Sequence, residues 1–220
     1  MLQPNKIVTG LKNPRKALRF VGRKASGLHP LYAVDALSLA VTSRYPWGTH
    51  VLDREWDLLV ILDTCRVDAM QAVAPEFEFI DTVGQIWSRG GSSPDWIAHT
   101  FDKQHRSTLQ DTAYLCSNPH GETVIDDQRM QPDKHPPAAR RFYRWGSWNQ
   151  IGPDELGRFE RIWQYESPER MEGPDRTHVR PRVVTDRTID VMRSAEYDRV
   201  IAHYMPPHYP WISNAIVENR

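Results

Sequence analysis

The sequence predicts an α/β fold: a mostly parallel sheet flanked by helices. Three observations predict it. The run Leu58-Leu59-Val60-Ile61-Leu62 is short, branched and apolar, and it stops abruptly at Asp63. That is the pattern of a parallel strand buried on both faces. Two further segments with apolar centres, Thr112–Cys116 and Tyr197–Tyr204, also read as strands. Between the runs lie segments with helical spacing, and strand–helix alternation of this kind folds into layers around a parallel sheet.

In chain order, Leu31, Val34, Leu37, Ser38 and Val41 share one helical face. Pro46-Trp47-Gly48 stops that helix. Residues 56–62 form the first strand. Arg66 to Val73 turn back as a helix with Val67, Met70 and Val73 on one side. Phe77 to Ile80 is expected as a short second strand, and Ser93 to Phe101 as a helix. Thr112 to Cys116 is a strand closed by the turn residues Ser117-Asn118-Pro119. Residues 121–180 are rich in Pro, Arg, Asp and Trp and show no clear period. One helix is expected there after Pro153, through Leu156, Phe159, Ile162 and Trp163. The remainder reads as an irregular excursion, a type of segment that often forms a lid or binding loop. Trp145, Trp148 and Trp163 within it serve either as local core or as stacking platforms. Val183 to Met192 is a helix with Val184, Thr188, Val191 and Met192 on its apolar face, and Tyr197 to Tyr204 is the last strand. The organisation is then a helical N-terminal extension over 1–50 and an α/β domain over 51–220.

The 220 residues carry 28 basic and 28 acidic side chains, so the net charge is zero with His neutral. Nothing in that balance draws the chain to nucleic acid. The basic residues of 12–24 (Lys12, Arg15, Lys16, Arg19, Arg23 and Lys24) are either a solvated helix face or a short amphipathic membrane contact. No apolar stretch reaches the roughly 20 residues of a membrane span. Two cysteines, Cys65 and Cys116, imply no disulfide framework, so a reducing compartment and a cytoplasmic location are expected. Thiol catalysis by Cys65 has no phosphate-cradling loop to support it, and a buried cysteine is usually inert packing.

Three segments hold the candidate chemistry. Asp63 sits just past a strand end, at the edge where open α/β sheets bind ligands; it is either a site residue or a cap for the next helix. In Gly90-Gly91-Ser92-Ser93-Pro94, Ser93 is the expected N-cap and Pro94 the first helical residue. Ser92 then stands beside free backbone N–H groups that favour a bound anion. It is either a nucleophile or part of a plain cap, and the glycines allow a substrate to approach closely. In His203-Tyr204-Met205-Pro206-Pro207-His208-Tyr209-Pro210, two histidines follow another strand end. When neutral they can ligate a metal, and when charged they can bind an anion or donate a proton to a leaving group; otherwise they are incidental to a structural turn.

In order and spacing, these segments resemble the alkaline phosphatase superfamily, in particular its sulfatase-like branch and, closer still, the sulfatase-like proteins of haloarchaea. The pattern Trp-Asp, apolar strand, Asp-x-Cys-Arg-x-Asp, then Gly-Ser-Ser-Pro, then His-Tyr-Met-x-Pro-His is followed from Trp56 to Pro210. The resemblance implies a hydrolase or transferase of sulfate or phosphate esters. It places Ser92 at the nucleophile position, with His203 and His208 also catalytic and Arg66, Gly91 and Ser93 on the substrate. It implies a divalent metal ion (Zn, Mn, Mg or Ca) held partly by Asp63, and a small-molecule or glycan ester as partner.

The chain departs from the pattern at three places. Thr64 stands where many members carry a second acid. Ser92 stands where the most typical sulfatases carry a cysteine that becomes formylglycine, which favours phosphate over sulfate chemistry. The downstream Asp-His-Gly-type motif does not occur in these residues, so the fold is expected to be C-terminally incomplete beside the family. A non-catalytic relative with a binding or structural role is the competing expectation. A haloacid-dehalogenase-type site would need an acid where Cys65 stands, and no Walker or dinucleotide glycine pattern follows the first strand.

Overall fold

A computed structural model describes residues 30–130, 146–165 and 179–208. The basic cluster of 12–24, Trp145, Tyr209 and Pro210 lie outside them. The chain divides into two units: residues 46–130 with 148–220, and residues 1–45 with 131–147. In the second unit, helix α1 (Pro30–Thr42) ends in side chains that bond its own last carbonyls. Thr42 Oγ1 donates to Ser38 O at 3.0 Å and Arg44 Nη1 to Ala40 O at 2.8 Å. Val34, Leu37 and Val41, the apolar stripe read from the sequence, are exposed.

The larger unit is built on four strands, β1 (Leu58–Leu62), β2 (Thr112–Cys116), β3 (Arg158–Arg161) and β4 (Arg199–Tyr204). They form one sheet in the order β1-β4-β2-β3, and every ladder is parallel. Helices α2 (Val67–Val73), α3 (Ser93–Thr100), α4 (Arg106–Gln110) and α5 (Pro181–Ser194) fill the connections. The fold is α/β with a parallel sheet. Among the described residues no helix is long and apolar enough to cross a membrane.

Side-chain alternation sorts the central strands onto two faces. Tyr114, Cys116 and Ile201 pack with Ile97 and Phe101 of the α3 segment on one face. Ala113, Leu115, Val200 and Ala202 pack with Val184 and Val191 of α5 on the other. β2 is buried along its whole length, which explains its unbroken apolar run. β1 lies at the edge of the described sheet. Leu59 and Ile61 pack on the first core, while Leu58 and Val60 remain 39% and 47% exposed. α5 packs on β4 and β2, and this leaves that face of β1 uncovered.

The expectation that Leu58–Leu62 is buried on both faces fails, because α5 covers β4 and β2 and leaves Leu58 and Val60 exposed. Two further sequence expectations fail, for physical reasons. Residues 77–80 form a turn after the 3₁₀ turn Ala74–Glu76, not a strand. Phe79 is 83% exposed there, so the apolar run buries nothing that could stabilise a strand. After Pro153 a single 3₁₀ turn, Pro153–Glu155, replaces the expected helix. Gly157 follows, and Arg158–Arg161 becomes β3 beside β2. Leu156, Ile162 and Trp163 are buried, as a helical spacing would also have it. Stacking of Phe159 on Tyr114, ring centres 5.5 Å apart, holds the segment as a strand. Trp163 is core.

β3 also carries a buried charge. Glu160 is 7% exposed and accepts hydrogen bonds from Arg187 of α5, from Tyr165 and, at 2.7 Å, from Arg158. Burial pushes its carboxyl upward in pKa, but Arg187 and Tyr165 outweigh this and hold it below the ordinary value. The same network pushes the Tyr165 phenol to about 12, through burial first and the Glu160 charge second.

A carboxylate depressed on folding stabilises the fold above its unfolded pKa, and that stability is lost as pH falls through the folded value. Urea denaturation should therefore show stability dropping below about pH 4.5. Glu160→Gln should remove this share of the acid dependence and lower stability at pH 7 by about 2 kcal/mol. That is under the usual cost of breaking a buried pair, because both arginines still reach water.

Candidate functional site

The carboxyl ends of β1 and β4 form the floor of a crevice of about 630 Å³. Its lining includes Asp63, Thr64 and Cys65 after β1, Gly90 to Pro94 with Trp96 at the start of α3, His120, His203 and His208. Parallel register sets this geometry. His203 lies opposite Ile61 on one side and Cys116 on the other. The strand ends are then tied together: Asp63 N donates to Tyr204 O at 3.2 Å, Ser117 Oγ to His203 O at 2.8 Å, and Met205 N to Ser117 Oγ at 3.0 Å.

A tight turn throws Asp63 off the strand. Cys65 N donates to Leu62 O at 3.0 Å, and Thr64 takes φ = 64° between them. The left-handed region is unfavourable for a β-branched residue, so the turn carries strain at the crevice edge. The Asp63 carboxylate is 12% exposed. Its Oδ2 accepts from Ser93 Oγ at 2.9 Å and Asn118 Nδ2 at 2.7 Å. Burial raises the pKa of this carboxyl, but His203 and the Ser93 hydroxyl lower it further, and the net shift is downward.

His203 is almost wholly buried. Its Nδ1 is 2.7 Å from Tyr114 Oη, and its Nε2 lies 3.7 Å from Asp63 Oδ2 without a hydrogen bond. Trp96 meets the ring edge-on, with centroids 5.7 Å apart. Burial favours the neutral imidazole, but the Cys116 sulfur and the Asp63 carboxylate outweigh it and push the ring to about 9. Tyr114 is pushed well above its ordinary pKa by burial, then by Cys116 and Asp63, so the phenol keeps its proton.

At α3 the cap lies one residue earlier than the sequence suggests. Ser92 is the N-cap with extended backbone, and Ser93 is the first helical residue. The Ser92 hydroxyl makes no cap bond; Asp95 reaches back instead, with Oδ2 accepting from Gly91 N at 3.0 Å. Gly90 is required by packing: a Cβ would stand 2.3 Å from Trp96 N. Gly91 faces open space.

The structure thus brings Asp63, Gly91, Ser92, Ser93, His203 and His208 to one crevice. Arg66 does not join them. Its guanidinium is exposed and forms a fork with Asp68, both contacts at 2.8 Å. Sequence reasoning missed Asn118, Tyr114, Cys116 and His120. Asn118 had a readable signal, since Ser117-Asn118 stands past the end of β2 as Asp63 stands past β1. Tyr114 and Cys116 read simply as core.

The donor set does not fit a divalent ion. The crevice lining offers one carboxylate, whose Oδ2 already accepts from Ser93 and Asn118, and its three histidines do not gather with it closely enough to share an ion. Among the described residues, the one group of three or more ligand-type side chains close enough to share an ion is His50, Asp102 and His105. Its hydrogen bonds argue against ligation. His50 Nδ1 accepts from Leu52 N at 3.2 Å, so the proton sits on Nε2, which is 3.0 Å from the His99 carbonyl. A nitrogen that carries a proton cannot bind a metal. His105 has a carboxylate on each ring nitrogen, Asp102 at 3.2 Å and Asp53 at 2.9 Å, and its ring stacks on His50.

No protein-family model, curated protein or solved structure matches this chain.

Two outcomes follow from this geometry. Thr64→Asn, a residue that tolerates left-handed backbone, should raise unfolding stability by about 1 kcal/mol in denaturant titration. Calorimetric titration with Zn²⁺, Mn²⁺, Mg²⁺ and Ca²⁺ should find nothing tighter than about 100 μM, since strong sites combine several free carboxylates or imidazoles.

Proposed function

We propose that the chain is a hydrolase or transferase of phosphate or sulfate esters, with Ser92 as its nucleophile. One observation supports this most. A serine hydroxyl without a cap bond stands at a helix start, in one crevice with a carboxylate and three histidines. The motif resemblance to the sulfatase-like branch of the alkaline phosphatase superfamily points the same way. Serine in place of the oxidisable cysteine favours phosphate esters over sulfate esters.

In this reading the ester's anionic group lies at the N-terminus of α3, where the helix dipole favours negative charge. The bond from Ser92 Oγ to phosphorus forms as the bond to the leaving oxygen breaks, and the Ser92 proton passes to the Asp63 carboxylate, the ionised base in the lining, which returns it when the phosphoserine is released. The leaving oxygen takes its proton from the His208 imidazolium, while the His203 N–H hydrogen-bonds the charge that develops on the phosphoryl or leaving oxygen. Water then attacks the phosphoserine and releases phosphate; an acceptor alcohol in its place gives transfer. Ser93 and Asn118 act on Asp63, which they hold in place. No step in this scheme runs through a metal ion, because the described donors do not assemble a site for one.

Turnover of p-nitrophenyl phosphate and p-nitrophenyl sulfate tests the proposal. Activity should favour the phosphate, Ser92→Ala should lower kcat at least ~10³-fold, and Ser93→Ala only ~10-fold. Acid quench and mass spectrometry should find phosphate on Ser92. Turnover that survives Ser92→Ala would remove Ser92 from the chemistry.

A further inference from the structure

Three buried side chains behind the crevice form a hydrogen-bonded line. Cys116 Sγ is 3.1 Å from Tyr114 Oη, and Tyr114 Oη is 2.7 Å from His203 Nδ1. At its inner end the sulfur has two backbone partners on Asn118, the carbonyl at 3.2 Å and the N–H at 3.4 Å. At its outer end the His203 Nε2 faces Asp63 Oδ2 and the crevice without a hydrogen bond.

The donors and acceptors in this line are constrained. An ionised carboxylate only accepts, so the nitrogen that faces it is the one that should carry a proton. That leaves Nδ1 to change character. In the neutral ring Nδ1 accepts, and in the imidazolium it donates. A phenol hydroxyl can do either, which amide and carbonyl groups cannot. In the neutral state Cys116 S–H donates to Tyr114 Oη and Tyr114 O–H donates to Nδ1. In the charged state the line reverses: Nδ1–H donates to Tyr114 Oη, Tyr114 O–H to the sulfur, and the thiol proton to Asn118 O. Both states leave Nδ1, the Tyr114 hydroxyl and the Cys116 sulfur satisfied, as buried polar groups require; Nε2 faces Asp63 and the crevice in both. Packing offers the phenol no other role, since its ring lies between Phe101 and Phe159 in the core.

We propose that Tyr114, backed by Cys116, is a positioning residue that keeps a proton on His203 Nε2 in both charge states of the ring. His203 then presents an N–H to the crevice. It is a donor to the oxygen of a bound phosphate or of a leaving group, and it is not a metal ligand. The role of donor to phosphate rests on the reading above; the assignment of the proton does not.

The test is nitrogen NMR of the full 220-residue chain labelled with ¹⁵N-histidine, with His203→Gln to assign the ring. In the unsubstituted protein Nε2 should give a protonated-nitrogen signal from pH 6 to pH 10, and no bare-nitrogen signal. Inorganic phosphate should shift that signal. A bare Nε2 at any of these pH values overturns the proposal, as does a Zn²⁺-induced shift of Nε2 at micromolar metal. Tyr114→Phe should bring a bare-Nε2 population into view and lower kcat about tenfold with KM unchanged. Cys116→Ser, which keeps both a donor and an acceptor, should preserve the signal. If Tyr114→Phe fails to fold, the unsubstituted spectrum still decides. A protonated Nε2 that phosphate leaves unmoved removes the ester reading and keeps the proton assignment.

Discussion

The crevice depends on the placement of His203 between β1 and β2. Parallel pairing puts it level with Ile61 and Cys116, with its ring on the same face as Tyr114. A polar ring this deep is tolerable only if its nitrogens find partners. Tyr114 serves one and Asp63 faces the other. Asp63 in turn is held by Ser93 from α3 and Asn118 from past β2. A slip of one residue in β4 would turn the ring to the opposite face, where Ala202 meets α5-side apolar residues, and would empty the site. Sheet register and site chemistry are therefore one constraint.

The crevice is unusual for the charges it contains. Its lining has histidines but neither lysine nor arginine, and Arg66, the nearby candidate cation, spends its charge on Asp68 in solvent. Any positive charge in the lining side chains therefore comes from imidazole. Mobile protons suit the proposed ester chemistry, which needs an anion held and a proton returned to the leaving group. The α3 terminus adds a weaker, fixed contribution, partly offset by the buried Asp95 that takes up the Gly91 N–H.

Other parts of the larger unit show the same use of hydrogen-bond direction. His50 accepts from Leu52 and points its remaining nitrogen at a carbonyl, which fixes its tautomer. His105 sits between two carboxylates and beneath the His50 ring. Residue types there suggest a metal centre. Directions of donation make it a structural link between the Val51–Asp53 turn and the segment after α3. Glu160 does similar work on the far edge of the sheet, where it ties β3 to α5 through Arg187.

Composition and spacing determined much on their own. The runs at β1, β2 and β4 were legible because each has an apolar centre of strand length, although β1 proved to be half-exposed at the edge of the described sheet. The helices α2 and α5 were legible from their periodicity, α3 from its Ser-Pro start, and Asp63, Ser92, His203 and His208 from their positions at strand ends and a helix start. Tertiary structure decided the rest. β3 became a strand because β2 offered an open edge and Tyr114 a ring to stack on, although local spacing favoured a helix. Ser93, not a distant group, came to hold Asp63, and Arg66 turned away. Tyr114 and Cys116 looked like core in the sequence and are core by burial. Their polar atoms acquired a role only when the register placed His203 beside them, because the direction of a hydrogen bond belongs to a pair of groups and is not written in either one.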